Sequence, residues 1–333
     1  MKIAYFRPSE VDTGSEDGGQ IYHRKLLAAL KITGLDVIDV EVETVRHLYQ
    51  LPLWAHEVSD ESVQIARRYV QEGYVIVVSH ENIFSLATKA YSEGCKMVVV
   101  VHNYLPRFWL KGNAALSLAY RLGAKRYFKK TFQHSHGALF VGHGDFQAAQ
   151  AHTAASIARQ TTMTLAQIPP AKVAVNYSFN PTLVHFDGSE IWLPKKLSRL
   201  TEQQQEYLRN HYTLEDYLSR AESGFTVIVD KFDVGFKLKL MQALYCGDFI
   251  LSRVDLHNEV QAICPGYRWY RTFGQFDELK ALLSDQQLIA DANDDKRREY
   301  AVAIGEHFTW EALAESLVTL INSGDTVSAK LTG

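Results

Sequence analysis

The sequence predicts an α/β protein with a parallel sheet covered by helices on both faces. Short runs rich in β-branched residues alternate with segments of helical periodicity through the first half of the chain. Two of these runs, VIVV and VVVV, are apolar at every position, which is typical of strands buried on both faces. The length of 333 residues is enough for one large domain or two ordinary ones.

The first half of the chain supplies six strands and three helices to this prediction. The predicted strands are Lys2–Phe6, Leu35–Val42, Tyr74–Ser79, Lys96–Asn103, Gly137–His143 and Lys172–Ser178. The predicted helices are Gly18–Leu30, Ser59–Gly73 and Glu81–Gly94. Gly34 is expected to stop the first helix, and Ser59 is expected to cap the second. Because strands and helices alternate, the strands are expected to be parallel neighbours.

The pattern lapses around Tyr177–Pro181, and a domain boundary is placed there. We therefore expect a first domain at residues 1–178, a shorter second domain at 179–305 and a terminal helix at 306–325. The elements predicted after the boundary are the strand Thr182–Phe186, the helix Thr201–Gly224, the strand Phe225–Val229, a helix from near Gly235 to Gly247, the strand Asp248–Ser252 and the helix Glu306–Ser323.

Composition excludes several classes of protein. A net charge of -3 argues against a general nucleic-acid binder. The three cysteines, Cys95, Cys246 and Cys264, form neither a metal-binding spacing nor a disulfide framework, so a reducing cytoplasm is expected. Arg7 and Glu10 precede any long apolar run, which is unlike a signal peptide, and no uncharged apolar window reaches the roughly 18 residues of a membrane span.

Two lysines stand where the helix of the second half is expected to begin. A helix N-terminus carries partial positive charge and disfavours cations such as Lys237 and Lys239. In open α/β sheets, ligands bind beyond the carboxyl ends of strands, near helix N-termini. An anionic ligand there would explain the lysines; the alternative is that both are solvated surface residues.

Four segments in order give a resemblance to a known family. They are GGQIYHRKLLAAL (Gly18–Leu30), VVVVHNYLP (Val98–Pro106), GFKLKLMQALYCGDFILS (Gly235–Ser252) and HFTWEALAESLVTL (His307–Leu320). Together they resemble GT-B glycosyltransferases, particularly the family-4 group. The resemblance implies two Rossmann-like domains facing a cleft, with the C-terminal helix returning to the first domain. It also implies a nucleotide-sugar donor held mainly by the second domain, an acceptor held by the first, and no metal cofactor.

Other residue patterns agree with that implication. No Asp-x-Asp follows a strand, as metal-dependent glycosyltransferases of the other main fold require. The segment GSEDGGQIY does not give the dinucleotide-binding G-x-G-x-x-G of a dehydrogenase. His134, His136 and His143 flank one strand without converging on a metal and are interpreted as structural.

The resemblance assigns a donor site. The leaving nucleoside diphosphate gains negative charge, which fixed donors must stabilise. Glycine backbone can approach a phosphate closely, and lysines add full charge; a plain tight turn is the alternative for the glycine pair. The predicted donor-site residues are Gly18, Gly19, Gly235, Phe236, Lys237, Lys239 and Gln242.

The predicted catalytic residues are His102 and Asp233. The resemblance implies that His102, at the end of a buried strand, contacts the transferred sugar; a histidine satisfied by local hydrogen bonds is the alternative. The family's two glutamates on the lysine-bearing segment are replaced by Val234 and Gln242. We expect Gln242 to bond the ribose and Asp233 to take over the sugar contact.

A basic segment follows His102. Between Arg107 and Lys130 there are seven basic residues and no acid, with Arg121, Lys125 and Lys129 at helical spacing. Such a segment is typical of a membrane-surface helix, and a solvated basic face over the core is the alternative. The residues expected on the acceptor or membrane side are Asn103, Arg107, Arg121, Lys125 and Lys129.

The sequence thus predicts a cytoplasmic enzyme, peripheral at the inner membrane face. The resemblance implies that it moves a sugar from a nucleotide-sugar donor to a glycan or lipid-linked acceptor in bacterial polysaccharide or glycolipid assembly. Two alternatives remain: a glycosyltransferase-like binding subunit without activity, and a sugar-nucleotide epimerase of the same fold.

Overall fold

The computed structural model describes most of both predicted domains. It describes residues 1–9, 18–45, 57–92, 94–108, 114–153, 162–165, 185–186, 191–192, 201–203, 225–230, 234–235, 237–292, 296, 299–300 and 308–329. The predicted strand Lys172–Ser178, most of the helix Thr201–Gly224, and the site residues Asp233 and Phe236 lie outside these ranges, as does the predicted domain boundary.

The first domain is built on a parallel sheet. Its strands are β1 (Lys2–Pro8), β2 (Asp36–Val42), β5 (Val75–Ser79), β6 (Met97–Val101), β7 (Gly137–Phe140) and β8 (Thr162–Leu165), in the order β2-β1-β5-β6-β7-β8. Two short strands, β3 (Thr44–Val45) and β4 (Glu57–Val58), pair antiparallel beside it. Every residue of β5, β6 and β7 is buried, as their apolar sequences predict.

Helices cover both faces of this sheet. They are α1 (Gly18–Ile32), α2 (Asp60–Gln71), α3 (Ser85–Ala90), α4 (Ala114–Gln133) and α5 (His143–Thr153), with short 3₁₀ turns at Glu81–Ile83 and Leu105–Arg107. Helices α2 to α5 pack on one face, around Phe6, Val99 and Phe128. Helix α1 packs on the other, where Tyr5 and Leu26 are fully buried. The Ser59 side chain accepts a hydrogen bond from the Ser62 N–H and caps α2, as predicted.

A second parallel sheet follows. Its described strands are β11 (Phe225–Ile228), β12 (Phe249–Ser252) and β13 (Tyr270–Thr272), after an antiparallel pair of β9 (His185–Phe186) and β10 (Ile191–Trp192). The helices are α6 (Leu238–Cys246), α7 (His257–Ile263), α8 (Phe276–Leu283) and α9 (Gln286–Ala292). Gly247 ends α6 in the left-handed conformation at φ 68°.

The last helix, α10 (Trp310–Ala329), returns to the first domain. It packs against α1 and over β7, where Leu313, Leu317 and Leu320 are buried among the residues of α1. Gly137 of β7 leaves room for this helix, because a Cβ there would lie 2.8 Å from Leu320 Cγ. The predicted return of the C-terminal helix is confirmed.

Two predicted helices and one strand illustrate where the structure differs from the sequence predictions. The helix predicted at Glu81–Gly94 is a 3₁₀ turn followed by α3, because Tyr91 adopts an extended conformation. The helix predicted from near Gly235 begins at Leu238, since Gly235 has φ 75° and Lys237 is extended. Strand β8 was not predicted; its four residues, Thr-Met-Thr-Leu, are too few to show a period.

Candidate functional site

The carboxyl ends of β5 and β6 bring a group of hydrogen-bonded polar side chains together. Ser79, the last residue of β5, places its Oγ 3.1 Å from His102 Nε2 and 3.3 Å from His23 Nδ1. The hydroxyl of Tyr5 lies 2.9 Å from the same nitrogen of His23. His102 follows β6 directly, so neighbouring parallel strands present both ends at one edge of the sheet.

Aromatic rings enclose His102. The ring of His80 stacks on it at 5.1 Å and 26°, and the ring of Tyr22 meets its edge at 4.7 Å. Tyr22 is itself in edge contact with Trp310 of α10 at 5.9 Å. The terminal helix therefore packs against the tyrosine that contacts His102.

Burial keeps two of these imidazoles neutral. It lowers the pKa of His23 to about 3, with His80 and Arg7 as smaller causes. It also lowers the pKa of His102 well below its ordinary value, with further lowering by His80 and His23. At neutral pH His102 therefore offers hydrogen bonds and no positive charge.

The residue after His102 meets the second half of the chain. Asn103 donates from its side-chain amide to Glu81 Oε1 at 2.5 Å and from its backbone to Oε2 at 3.3 Å. A Cβ on Gly235 would overlap Asn103 Oδ1 and lie 3.1 Å from the His102 carbonyl oxygen. Only glycine fits this approach, and its φ of 75° also favours glycine.

Two carboxylates join the domains around this approach. Asp145 is fully buried and accepts hydrogen bonds from the N–H of Tyr104 at 2.9 Å, the N–H of Gly235 at 3.1 Å and Arg107 Nη1 at 2.7 Å. Burial raises the pKa of Asp145, and Arg107 offsets part of that rise. Glu259, on α7, accepts from two N–H groups in the first turn of α5, at 2.9 Å and 2.7 Å.

The predicted donor lysines are engaged within the protein. The Lys237 ammonium donates to the Val234 carbonyl at 2.7 Å, and Lys239 forms an ion pair with Asp230 at 2.6 Å. Gln242, on helix α6, is 5% exposed, and its Nε2 has no hydrogen-bond partner in the described part of the chain. A buried amide donor without a partner is costly unless a ligand or water bonds it.

The residues predicted for the acceptor or membrane side fall into two groups. Arg107 bonds Asp145, and Arg121 Nε donates to the Pro106 carbonyl at 2.9 Å, so both side chains are tied to the protein. The structure thereby gives Arg107 a counter-ion that its own segment lacks. Lys125 and Lys129 are exposed on α4.

Other predicted positions are less informative about a ligand. Gly18 and Gly19 open α1, whose first N–H groups have no partner within the helix. His134 Nδ1 lies 2.7 Å from the Lys130 carbonyl oxygen, and His136 Nδ1 accepts from the Met97 N–H at 3.2 Å.

Among the described residues, no group of His, Cys, Asp and Glu side chains has the geometry of a metal site. Of the described helices, none combines the length and hydropathy of a transmembrane span.

Sequence reasoning missed several residues of the site. His80 follows an apolar strand just as His102 does, so the same rule of strand ends could have found it. Tyr22 and His23 are consecutive residues of α1, the helix that begins at the glycine pair. Asp145 and Glu259 had no local signal, because their partners lie far away in the chain.

No protein-family model matches the chain, and no curated protein matches its sequence. Solved structures match its fold over nearly its whole length. Sucrose-phosphate synthase from Thermosynechococcus elongatus is 13% identical with a TM-score of 0.55, covering 98% of this chain and 99% of its own. Trehalose 6-phosphate synthase from Burkholderia multivorans is 10% identical with a TM-score of 0.53, covering 98% and 99%. HepE from Anabaena, in complex with UDP and glucose, is 11% identical with a TM-score of 0.50, covering 97% and 100%.

At these identities the likeness shows the fold. The chain has the GT-B fold of these proteins, two Rossmann-like domains facing a cleft, as the sequence predicts.

Proposed function

We propose that the protein is a glycosyltransferase that moves a sugar from a nucleotide-sugar donor to a glycan or lipid-linked acceptor. The observation that carries the proposal is the meeting of His102 and Asn103 with Gly235 from the opposite domain. In open α/β domains this edge of the sheet is where ligands bind. The protein shares its fold with two sugar-phosphate synthases and with HepE, which was solved with UDP and glucose. This likeness supports the glycosyltransferase proposal.

The donor would lie against the segment that leads into α6. Its ribose would accept a hydrogen bond from Gln242 Nε2, which no described residue bonds. Its diphosphate would draw the ammonium groups of Lys237 and Lys239 away from their present partners, Val234 and Asp230. A charge-assisted bond to phosphate is stronger than one to a carbonyl, so the exchange of partners at Lys237 is favourable.

Transfer requires stabilisation of the leaving diphosphate and orientation of the sugar. In the proposal the N–H groups of Gly18 and Gly19 and the two lysines supply the first, while the Gly235 N–H stays bonded to Asp145, and no metal is used. His102, neutral and held by Ser79, orients the sugar by hydrogen bonding. Asp233 is proposed as the second group at the sugar.

Ligand binding tests the proposal. Thermal unfolding is followed with UDP, GDP and ADP and with their glucose and N-acetylglucosamine esters. A donor at 100 times its Kd should stabilise the fold by about 2.7 kcal/mol. Gln242→Ala should weaken that donor by roughly 1 kcal/mol or more, whereas Gln287→Ala, on the exposed surface of α9, should not. If no nucleotide sugar stabilises the wild-type protein, the proposal fails.

A binding subunit without catalysis is the second candidate. The absence of carboxylates at Val234 and Gln242, where the resembled family has glutamates, favours it. Donor binding without hydrolysis, and without transfer to any glycan or lipid acceptor, would decide for this candidate.

The acceptor side is proposed to meet an anionic membrane through α4. The exposed face of this helix carries Leu118 and Leu122, 56% and 58% exposed, followed by Lys125, Arg126 and Lys129. The helix contains no acidic residue, so its charge complements anionic lipid at about 1 kcal/mol per cation. A membrane contact would also explain why Leu118 and Leu122 are exposed, because both would then be buried in lipid.

Vesicle sedimentation tests the membrane contact. The wild-type protein should sediment with vesicles containing phosphatidylglycerol at low salt and be released by high salt. Leu118→Glu/Leu122→Glu should abolish sedimentation, while Ile32→Glu, at a position 73% exposed on α1, should leave it intact. Equal recovery of the wild type with neutral and anionic vesicles would exclude the contact.

A further inference from the structure

His80 holds an unfavourable backbone conformation. Its φ of 89° and ψ of 131° place it outside the regions that side chains with a Cβ normally adopt. In the described part of the chain it is the only residue other than glycine with positive φ. Such residues persist where the surrounding structure over-determines them, and they cluster at functional sites.

The backbone conformation fixes the orientation of the imidazole. His80 Nδ1 accepts a hydrogen bond from the Asn82 N–H at 3.4 Å, while the ring stacks on His102. In the neutral ring the proton is then on Nε2. No described residue bonds that nitrogen, and His80 is partly exposed whereas His102 is buried.

The position of His80 in the sheet separates it from the donor side. Contacts to the second domain lie at Asn103, after β6, and at the first turn of α5, after β7. Strand β5 neighbours β6 on the side away from β7. His80 therefore flanks His102 on the side that belongs to the first domain.

We propose that His80 is a substrate-contacting residue whose Nε2–H donates a hydrogen bond to a hydroxyl of the acceptor sugar. This inference rests on the proposed transferase function, in which the first domain holds the acceptor. His80 is a binding residue and not the base, since its Nε2 already carries the proton in the neutral ring. The strained backbone is what aims the donor into the cleft.

An asparagine at this position separates the contact from the local structure. Asparagine is a short polar residue whose Oδ1 can accept the Asn82 N–H as His80 does. It is too short to present a donor where Nε2 lies. His134→Asn is the matched control, because His134 follows α4, where its Nδ1 lies 2.7 Å from the Lys130 carbonyl oxygen and its ring is in T-shaped contact with Tyr91 at 5.1 Å.

The experiment compares wild type, His80→Asn and His134→Asn with UDP-glucose as donor probe. The acceptor probes are octyl glycosides of glucose, galactose and N-acetylglucosamine. For His80→Asn we expect kcat/KM for the acceptor to fall about 2- to 12-fold, the loss of one hydrogen bond. UDP-glucose affinity, its slow hydrolysis by water and the urea midpoint should match those of the wild type and of His134→Asn.

Two results would overturn the inference while leaving the proposed function standing. One is transfer by His80→Asn at the wild-type rate. The other is a parallel loss of donor hydrolysis, which would place His80 at the donor sugar or in the framework of the site. Failure of the wild type to bind UDP-glucose and every other nucleotide sugar would instead overturn the proposed function, and this inference with it.

Discussion

His23 and His102 are buried as neutral imidazoles, and this makes the fold sensitive to acid. Burial lowers both pKa values, that of His23 to about 3. Both imidazoles take up a proton near pH 6.5 in the unfolded chain but stay neutral there in the folded protein. The free energy of unfolding is therefore highest above pH 6.5 and falls as the pH drops from 6.5 to the folded pKa. For His23 we expect roughly 1.4 kcal/mol of unfolding free energy to be lost per pH unit between pH 6 and 4, and His102 should add to that loss. Urea titration at each pH measures both.

The variant His23→Gln isolates one of the two groups. It should reduce that slope by roughly 1.4 kcal/mol per pH unit, because one proton fewer is taken up on unfolding. An unchanged slope in His23→Gln would mean that this imidazole is protonated in the folded protein.

Gly235 and Gly34 form a matched pair, since both have φ of 75°. A Cβ at Gly34 meets nothing within 4 Å, whereas a Cβ at Gly235 would overlap Asn103 Oδ1. We expect Gly34→Ala to cost about 1–2 kcal/mol for the left-handed backbone alone. Gly235→Ala should cost roughly 1–3 kcal/mol more, for the displaced contact. Equal urea midpoints for the two variants would show that the approach of Gly235 to Asn103 is loose.

At the scale of elements, apolar strands and capped helices could be predicted from the sequence. The buried runs of β5 and β6 and the Ser59 cap of α2 carry strong local signals. The features that could not be predicted depend on contacts with residues distant in sequence. Helix α6 begins at Leu238, later than predicted, and Lys237 is extended, because the Gly235 N–H bonds Asp145. The exposure of Leu118 and Leu122 likewise follows from which face of α4 meets the sheet.

The contact between α10 and β7 gives a prediction about packing. Gly137→Ala would place a Cβ 2.8 Å from Leu320 Cγ, and we expect this overpacking to cost about 1–3 kcal/mol. In a Leu320→Ala background the same change should cost little, because the clashing atoms are gone. A double-mutant cycle in urea measures this coupling. Additive losses would show that α10 shifts freely over β7.

At the scale of the whole molecule, Glu259 joins domains that lie far apart in sequence. Glu259→Gln keeps one acceptor oxygen and leaves one N–H of the α5 first turn unpaired, which should cost roughly 1–3 kcal/mol. Urea unfolding measures the loss, and small-angle scattering should show a larger radius of gyration. Glu315→Gln, on the exposed face of α10, is the control. A domain joint that does not depend on Glu259 would show neither change.

The site itself could be predicted only in part for the same reason. His102 and Gln242 could be proposed from the sequence because each belongs to a contiguous motif, and their roles stay predictions. Asp145 was not found, since its partner Gly235 is 90 positions away and the bond between them uses a backbone group. The roles predicted for Gly18, Gly19, Lys237 and Lys239 stay predictions until a donor is bound.

The domain contacts made by Asp145 and Glu259 use the same kind of hydrogen bond, and this affects which substitutions the protein can accept during evolution. On one side of each stands a carboxylate; on the other stand backbone N–H groups of His143, Gly144 and Gly235. A backbone donor survives every substitution except proline. Lineages could therefore replace His143 freely and keep the joint, while either acid has few acceptable replacements. Gly235 is an exception, because a Cβ there would overlap Asn103 Oδ1. The domain contact therefore restricts the two acids and this glycine, while His143 is open to drift.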